Sequence, residues 1–240
     1  MNGTWVVARR EIRSYIDSPV AYLFIVAFLV SCSVLFFFMQ GFFAAGVASL
    51  RPWFGLMPIM LSILLPALTM RMWAEERKQG TYETLLTLPL SEGQLVLGKY
   101  LAAMTVLGAA LILSLPVPIM VSAFGRFDPG IIVAEYLGIV LLSSASIALG
   151  QLVSSLTRNQ MSAFLATALV LVAMTMLSQL AAFFSLPSWL SAMVNWLSLS
   201  YRFSSFSKGV VDSRDCAYFI ILSAMCLYLT TRRIAFGKWS

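Results

Sequence analysis

Long stretches without a charged side chain divide this chain into six apolar segments. The runs free of Asp, Glu, Lys and Arg are residues 18–50, 52–70, 100–125, 136–157, 159–201 and 216–231. A helix needs about 20 apolar residues to cross roughly 30 Å of bilayer hydrocarbon, because it rises about 1.5 Å per residue. The pattern predicts an all-α membrane protein with six spans, at residues 20–40, 54–70, 99–123, 132–154, 161–183 and 214–232.

The composition supports a membrane protein and narrows its chemistry. Of 240 residues, 60% are hydrophobic and only 11% are charged, which is too few charges to cover a water-facing surface. The chain has no histidine, so the commonest general base and metal ligand is missing. Cys32, Cys216 and Cys226 lie in apolar runs without a CxxC spacing. We expect no metal, no cofactor and no catalytic residue in this chain.

The distribution of basic residues predicts the orientation of the spans. If the N-terminus is cytoplasmic, eleven of the 16 Lys and Arg residues lie on the cytoplasmic side and five on the other. This bias follows the positive-inside rule, and six spans then place both termini in the cytoplasm. The net charge of +6 is therefore mostly a topology signal. No basic cluster is dense enough to favour nucleic acid, and we expect a multi-pass membrane protein.

The segment before the first span, residues 1–18, is amphipathic when drawn as a helix. One side carries Trp5, Ala8, Ile12 and Ile16, and the other carries Arg9, Arg10, Arg13 and Asp17. The pattern predicts a helix at the cytoplasmic interface with its basic side toward anionic lipid headgroups. A solvated N-terminal helix is the alternative.

Residues 71–98, between spans two and three, contain the largest concentration of charge. Gly80 is suited to end the helix that continues from span two, and Thr81 is suited to begin a short second helix. Pro89 ends that helix, and Ser91 with Gln94 forms a capping box for the next one. This pattern of helix ends and caps predicts that the segment forms a folded cytoplasmic elbow. The elbow also carries three leucines, Leu85, Leu86 and Leu88.

Two other segments suggest packing and surface roles. Ser146, Gly150 and Ser154 are four residues apart in span four, so they share one helix face and allow close packing against a helix of this or another chain. In the outer segment 184–213, Pro187 is followed by apolar residues at helical spacing, including Trp189 and Trp196. That spacing predicts an outer-face helix over 188–200, followed by an exposed segment from residue 201 to 215.

Two apparent catalytic motifs do not fit their surroundings. Residues 93–99 match the pattern G-x-x-x-x-G-K, but Tyr100 stands where a phosphate-binding loop has Ser or Thr, and no buried strand precedes it. Glu75 and Glu76 are adjacent, so their side chains point about 100° apart on a helix. Neither pattern favours nucleotide binding or an intramembrane enzyme.

Together, the N-terminal helix, the six spans and the elbow resemble the permease subunit of ABC-2-type transporters. The motif that carries this resemblance is E-E-x-x-x-G-T-x-E-x-L-L, from Glu75 to Leu86. The stretch from Phe203 to Asp215, which includes Lys208, Gly209 and Asp212, resembles the gliding-motility and nitrous-oxide-maturation branch of that family.

The resemblance implies a permease that works as a dimer, with a second copy or a paralogue. Cytoplasmic ATP-binding-cassette subunits would bind ATP and magnesium, and a membrane-anchored protein with an extracytoplasmic domain is a further expected partner. Residues 81–88 would be the coupling helix, its leucines seated in an ATPase groove. The expected coupling residues are Glu75, Glu76, Arg77, Gly80, Thr81, Glu83, Leu85, Leu86 and Leu88. The leading function is ATP-driven export; the alternative is a mechanotransmission complex that moves an outer partner through residues 185–215.

Overall fold

A computed structural model describes residues 3–39, 49–86, 89–124, 128–184 and 187–237. Within these ranges the regular elements are helices, and no strand occurs. The helices are α1 (Gly3–Ile16), α2 (Pro19–Val34, continued by a π-helical turn at Leu35–Met39), α3 (Arg51–Thr69), α4 (Arg71–Gln79), α5 (Thr81–Leu86), α6 (Glu92–Ser114), α7 (Pro116–Ser122), α8 (Pro129–Leu156), α9 (Gln160–Phe183), α10 (Ser188–Leu197), α11 (Leu199–Phe206) and α12 (Ser213–Gly237).

Six helical segments of the described chain are long and apolar enough to cross a bilayer. They are Pro19–Phe38, Arg51–Gln79, Glu92–Ser122, Pro129–Leu156, Gln160–Phe183 and Ser213–Phe236. The prediction of an all-α membrane protein with six spans is therefore confirmed. Some helices extend beyond the apolar runs, because a helix that leaves the bilayer can continue with charged residues exposed to water.

Helix α8 is central to the packing. It contacts α3, α4, α6, α9, α11 and α12. The α3 face that packs in the core includes Trp53, Met57 and Leu61, all of which are buried. At its inner end α8 comes very close to α3, since a Cβ at Gly150 would lie 2.4 Å from Oγ1 of Thr69. The core is thus a bundle built around two helices in close contact.

Hydroxyl groups join the spans inside this bundle. The Tyr100 and Ser144 hydroxyls are 2.6 Å apart, and Ser144 is 3.0 Å from the Ser223 hydroxyl, so α6, α8 and α12 are connected in a chain. The amide of Gln151 donates to the Val96 carbonyl at 3.0 Å. Such bonds contribute to helix association where lipid offers polar groups no partner.

The N-terminal helix packs along α6 with only part of its predicted apolar stripe. Val7, Ala8 and Tyr15 are buried, whereas Trp5 and Ile16, from the predicted apolar stripe, are 59% and 56% exposed. The contact is close because a Cβ at Gly98 would lie 2.6 Å from Val7 Cγ1. The apolar surface of α1 is therefore divided: part of it meets α6, and Trp5 and Ile16 stay exposed.

More of the outer segment is helical and buried than the sequence pattern predicted. The expected exposed stretch from residue 201 to 215 instead begins inside α11, which packs on α8 with Phe203 and Phe206 buried. Gly138 of α8 permits this contact, since a Cβ there would lie 2.6 Å from the Phe206 ring. The preceding α10 has no buried residue. The prediction of an exposed segment is wrong for Phe203 and Phe206, because their contact with a glycine distant in sequence leaves no local pattern.

The close approach at Gly150 predicts a strong effect of the smallest substitution. We expect Gly150→Ala to lower stability by about 1–3 kcal/mol, because the new methyl group meets the buried Thr69 side chain. Gly108→Ala is the matched control, since nothing lies within 4 Å of a Cβ there. The measurement is the unfolding temperature of each purified variant in detergent. Equal unfolding temperatures for the two variants would contradict the packing.

Candidate functional site

The elbow is formed by α4, α5 and the start of α6. Helix α4 ends at Gly80, whose φ of 71° is a left-handed conformation that favours glycine. Thr81 begins α5 directly afterwards. At the start of α6, the Gln94 amide N–H donates to Ser91 Oγ at 3.3 Å, and the Ser91 N–H donates to Gln94 Oε1 at 3.1 Å. These caps fix where each helix begins and ends.

A buried lysine links the elbow to two other helices. The Lys99 ammonium on α6 lies 2.7 Å from Glu76 Oε1 on α4 and 3.1 Å from Glu11 Oε1 on α1. The Lys99 side chain is only 3% exposed. Its Nζ is also 5.2 Å from the centre of the Trp73 ring, a cation–π distance. We call Lys99, Glu11, Glu76 and Trp73 the Lys99 hub.

The charged groups of the Lys99 hub stabilise one another, so each of them needs the others to be present. An isolated buried charge is costly, and removing one partner of a buried pair leaves the other without compensation. Here one ammonium serves two carboxylates, and Glu76 Oε2 is buried with no hydrogen-bond partner among the residues the structure describes. A cavity of about 330 Å³ adjoins the hub and is lined by Arg10 and Tyr15 as well as by Lys99. The Lys99 hub therefore combines closely spaced ion pairs with an adjoining cavity that is open and lined by polar side chains.

A second polar cluster lies at the turn between α1 and the first span. Arg71 Nη2 is 3.0 Å from Glu75 Oε1, and Arg71 Nη1 also donates to the Ser18 hydroxyl. Tyr15 donates its hydroxyl proton to the Leu68 carbonyl at 3.0 Å. Burial raises the pKa of the Tyr15 phenol, so it stays protonated and remains a donor. These bonds attach the α1–α2 turn to the inner end of α3.

The elbow is also anchored to α8 through Ser154. Its Oγ accepts hydrogen bonds from the Trp73 and Ala74 amides, both at 3.2 Å, and donates to the Met70 carbonyl at 3.1 Å. Of the three small residues expected to pack together, Gly150 and Ser154 face α3 and α4 of the same chain. Ser146 is buried and donates to the Leu142 carbonyl of its own helix.

The structure separates the expected coupling residues into an internal group and an exposed group. Leu85 is buried within the chain at 4% exposure, and the Glu76 carboxylate faces Lys99. Their predicted roles as direct partner contacts do not fit these positions, because neither side chain is available to a partner. Arg77 stacks over the Tyr82 ring at 4.8 Å. The Leu86 side chain and Leu88 lie outside the described residues.

An exposed polar surface remains for contact with a partner. We call it the elbow surface, and its residues are Lys78, Gln79, Gly80, Thr81 and Glu83. Glu75 is half-buried between Arg71 and Gln79, whose amide donates to it at 3.1 Å. The elbow surface thus carries both positive and negative charges. The helix α4 that presents part of it is held in place by the Lys99 hub and by Ser154.

The outer face has an ion pair that the sequence analysis missed. Arg202 Nη1 on α11 lies 2.9 Å from Asp215 Oδ1 on α12, and its guanidinium lies over the Trp196 and Tyr218 rings at 5.8 and 5.3 Å from their centres. The Tyr218 hydroxyl donates to the Leu197 carbonyl. This cluster holds α10, α11 and α12 together.

The other outer residues singled out from sequence have varied positions. Asp212 accepts from the Arg214 amide at 2.9 Å and so caps the start of α12. Gly209 has a φ of 75° and lies against Ile131, and Lys208 lines a small cavity with Glu135. Trp189 and Trp196 are 66% and 61% exposed.

The apparent phosphate-binding pattern at residues 93–99 lies inside α6. Lys99, the lysine of this pattern, is already bound to two carboxylates in the hub, so it is not available to a phosphate. Within the described ranges, no group of three or more Cys, Asp or Glu side chains could hold a metal ion.

The fold and the elbow define a multi-pass membrane permease, and comparison with known proteins gives its family. Residues 46–231 match the family described as "ABC-2 family transporter protein". The match covers more than half of the chain, so the chain belongs to the ABC-2 transporter family and is a transport subunit. Membership implies an ABC ATPase partner. No curated protein matches the chain.

The Lys99 hub predicts a large effect of removing its cation. We expect Lys99→Met to cost about 3–5 kcal/mol of stability, because two carboxylates would then face each other without a cation. Restoring neutrality with Glu11→Gln and Glu76→Gln in the same chain should recover at least half of that loss. Lys78→Met, an exposed lysine of the same elbow, is the control. Unfolding temperatures in detergent measure all three, and equal values for the two single variants would refute the hub.

Proposed function

We propose that this chain is the membrane half of an ATP-driven exporter. Separate cytoplasmic ATPase subunits would bind ATP and magnesium and supply the energy. The observation that carries the proposal is the elbow itself: an exposed surface of mixed charge, held rigidly against α1, α6 and α8. Such a surface suits a partner that must both bind the permease and move it.

Docking would take place on the elbow surface rather than through Glu76 or Leu85. Lys78 and Glu83 carry opposite charges at exposed positions on two successive helices. Complementary charges fix the register of an interface and speed its formation. Leu86 and Leu88 remain the candidates for apolar contacts in an ATPase groove. Contacts of this kind would set the orientation of the ATPase beneath the membrane.

Movement would pass from the elbow into the bundle as a rigid-body displacement. Helix α4 is joined to α1 and α6 through Lys99 and to α8 through Ser154. Because each of these contacts is buried and polar, breaking one during the cycle would be costly. We therefore infer that α1, α4 and the inner end of α6 move as one body, and that α8 carries the displacement toward the outer face.

The wider assembly follows from the same proposal. Two permeases, either identical or paralogous, would pair in the bacterial inner membrane with both termini cytoplasmic, as the positive-inside bias predicts. The resemblance of residues 203–215 implies the gliding-motility and nitrous-oxide-maturation branch and an auxiliary subunit with an extracytoplasmic domain, and both stay predictions.

A mechanotransmission complex is the second candidate, and one feature of the outer face favours it. Helix α10 buries no residue, and Trp189 and Met193 are each 66% exposed. An aromatic, outward-facing helix of this kind suits a membrane surface or a partner protein. Proteoliposomes that hydrolyse ATP without moving any substrate, and that lose an outer partner on Trp189→Ala, would favour this candidate over export.

The proposal predicts that charge on the elbow surface controls the ATPase interaction. We expect Lys78→Glu to weaken retention of the ATPase subunit at least fivefold, since it reverses a charge at the proposed interface. Arg233→Glu is the control, because it makes the same charge change at an exposed position near the end of α12. The measurement is co-purification of the ATPase together with its stimulated hydrolysis. Equal retention by both variants would exclude the elbow surface from the interface.

A further inference from the structure

A basic cavity lies where α1 meets the first span. It is open, has a volume of about 820 Å³, and is lined by Arg9, Arg10 and Arg13 of α1 together with Arg71 of α4. Trp5 and Val6 form the apolar part of its wall. Because Arg71 comes from a different part of the chain, the cavity is built by tertiary packing and is more than one face of an amphipathic helix.

The charge of the cavity is only partly compensated. Arg71 is paired with Glu75, and Asp17 is the acidic side chain among the cavity-lining residues that the structure describes. Arg9, Arg10 and Arg13 are exposed, and in the described parts of the chain no ion pair engages them. Arg10 also lines the cavity beside the hub and interacts electrostatically with Glu76. Arg9 and Arg13 therefore face the carboxylate of Asp17, which leaves a net positive charge among the described lining residues. Guanidinium groups bind phosphate oxygens in a bidentate geometry, so a phosphate group is the complementary ligand.

The position of the cavity indicates where the phosphate comes from. Pro19, which lines the cavity, is the first residue of the first span, and Arg71 is the first charged residue after the apolar run 52–70. Both mark the depth at which a span leaves the hydrocarbon, and this is the depth of the lipid headgroups. Trp5 is 59% exposed beside the arginines, and tryptophan favours this interface. The cavity thus offers cations at headgroup level and apolar contacts beside them.

We propose that this cavity is a binding site for the phosphate of an anionic phospholipid headgroup. Arg9 and Arg13, one helical turn apart, would clamp the phosphate, and Trp5 would lie along the upper acyl chains. The site does not depend on the proposed ATPase coupling, since it needs only the membrane location that the family and the spans show. A headgroup bound here would touch Arg71 and hence lie beside the elbow. Free phosphate shares this chemistry, so the test must separate the two sources.

The test is lipid binding by the full purified chain, measured by native mass spectrometry with phosphatidylglycerol or phosphatidylcholine added in detergent. We expect wild type to retain phosphatidylglycerol about tenfold better than phosphatidylcholine, and Arg9→Gln/Arg13→Gln to reduce this preference below about twofold. The control is Arg232→Gln/Arg233→Gln, which removes the same charge from adjacent exposed positions in α12. Unchanged unfolding temperatures in both double variants show that each is folded.

Each outcome decides the proposal. Loss of the preference in the Arg9 and Arg13 variant alone supports the site. Retention of the preference in that variant overturns the site, because Arg9 and Arg13 are then not needed. Equal loss in the control also overturns it, because the preference then comes from net charge. Addition of excess inorganic phosphate gives the second arm: retention of phosphatidylglycerol supports the lipid, and its displacement assigns the cavity to free phosphate and overturns the lipid assignment.

Discussion

One buried ammonium group connects the three helices at the inner end of this permease. Lys99 holds Glu76 on α4 and Glu11 on α1, and its side chain is 3% exposed. In such surroundings the two carboxylates need the cation, and the cation needs at least one of them, because a lone buried charge is far less stable. The elbow therefore cannot move away from α1 or α6 without breaking this contact, and any force applied to α4 reaches all three helices.

A second set of contacts, at the start of α4, also holds the elbow in place. Ser154 binds three backbone groups at the junction of α3 and α4, and one turn away Gly150 lets Thr69 approach closely. Helix α8 thus supports α4 at Trp73, a residue that also belongs to the Lys99 hub. The result is a rigid base whose exposed residues, Lys78 and Glu83 among them, are left for an ATPase subunit, as membership of the ABC-2 transporter family implies.

Features set by the bilayer or by a few neighbouring residues could be predicted from the sequence. Hydrocarbon thickness fixes the length of an uncharged run, which gave the six spans, and local chemistry gave the caps at Gly80 and Ser91. The hub could not be found in this way, because Lys99 lies 88 residues from Glu11 and 23 from Glu76. The sequence feature that pointed to the hub was Lys99 itself, a single cation at the edge of an apolar run. For the same reason Leu85 was misplaced: a leucine on a short helix shows no preference for an internal or an external partner until its neighbours are known.

The central claim is that α1 and α4 move as one body during the ATPase cycle. Pulsed electron spin resonance can test this on the complex in lipid, with spin labels at the exposed, uncharged positions Ser14 and Gln79 after replacement of Cys32, Cys216 and Cys226. The account predicts that the distance between these labels is the same without nucleotide and with ATP bound. The distance from Gln79 to its counterpart in a second permease copy should change over the same step. A Ser14–Gln79 distance that shifts when ATP binds would contradict the account.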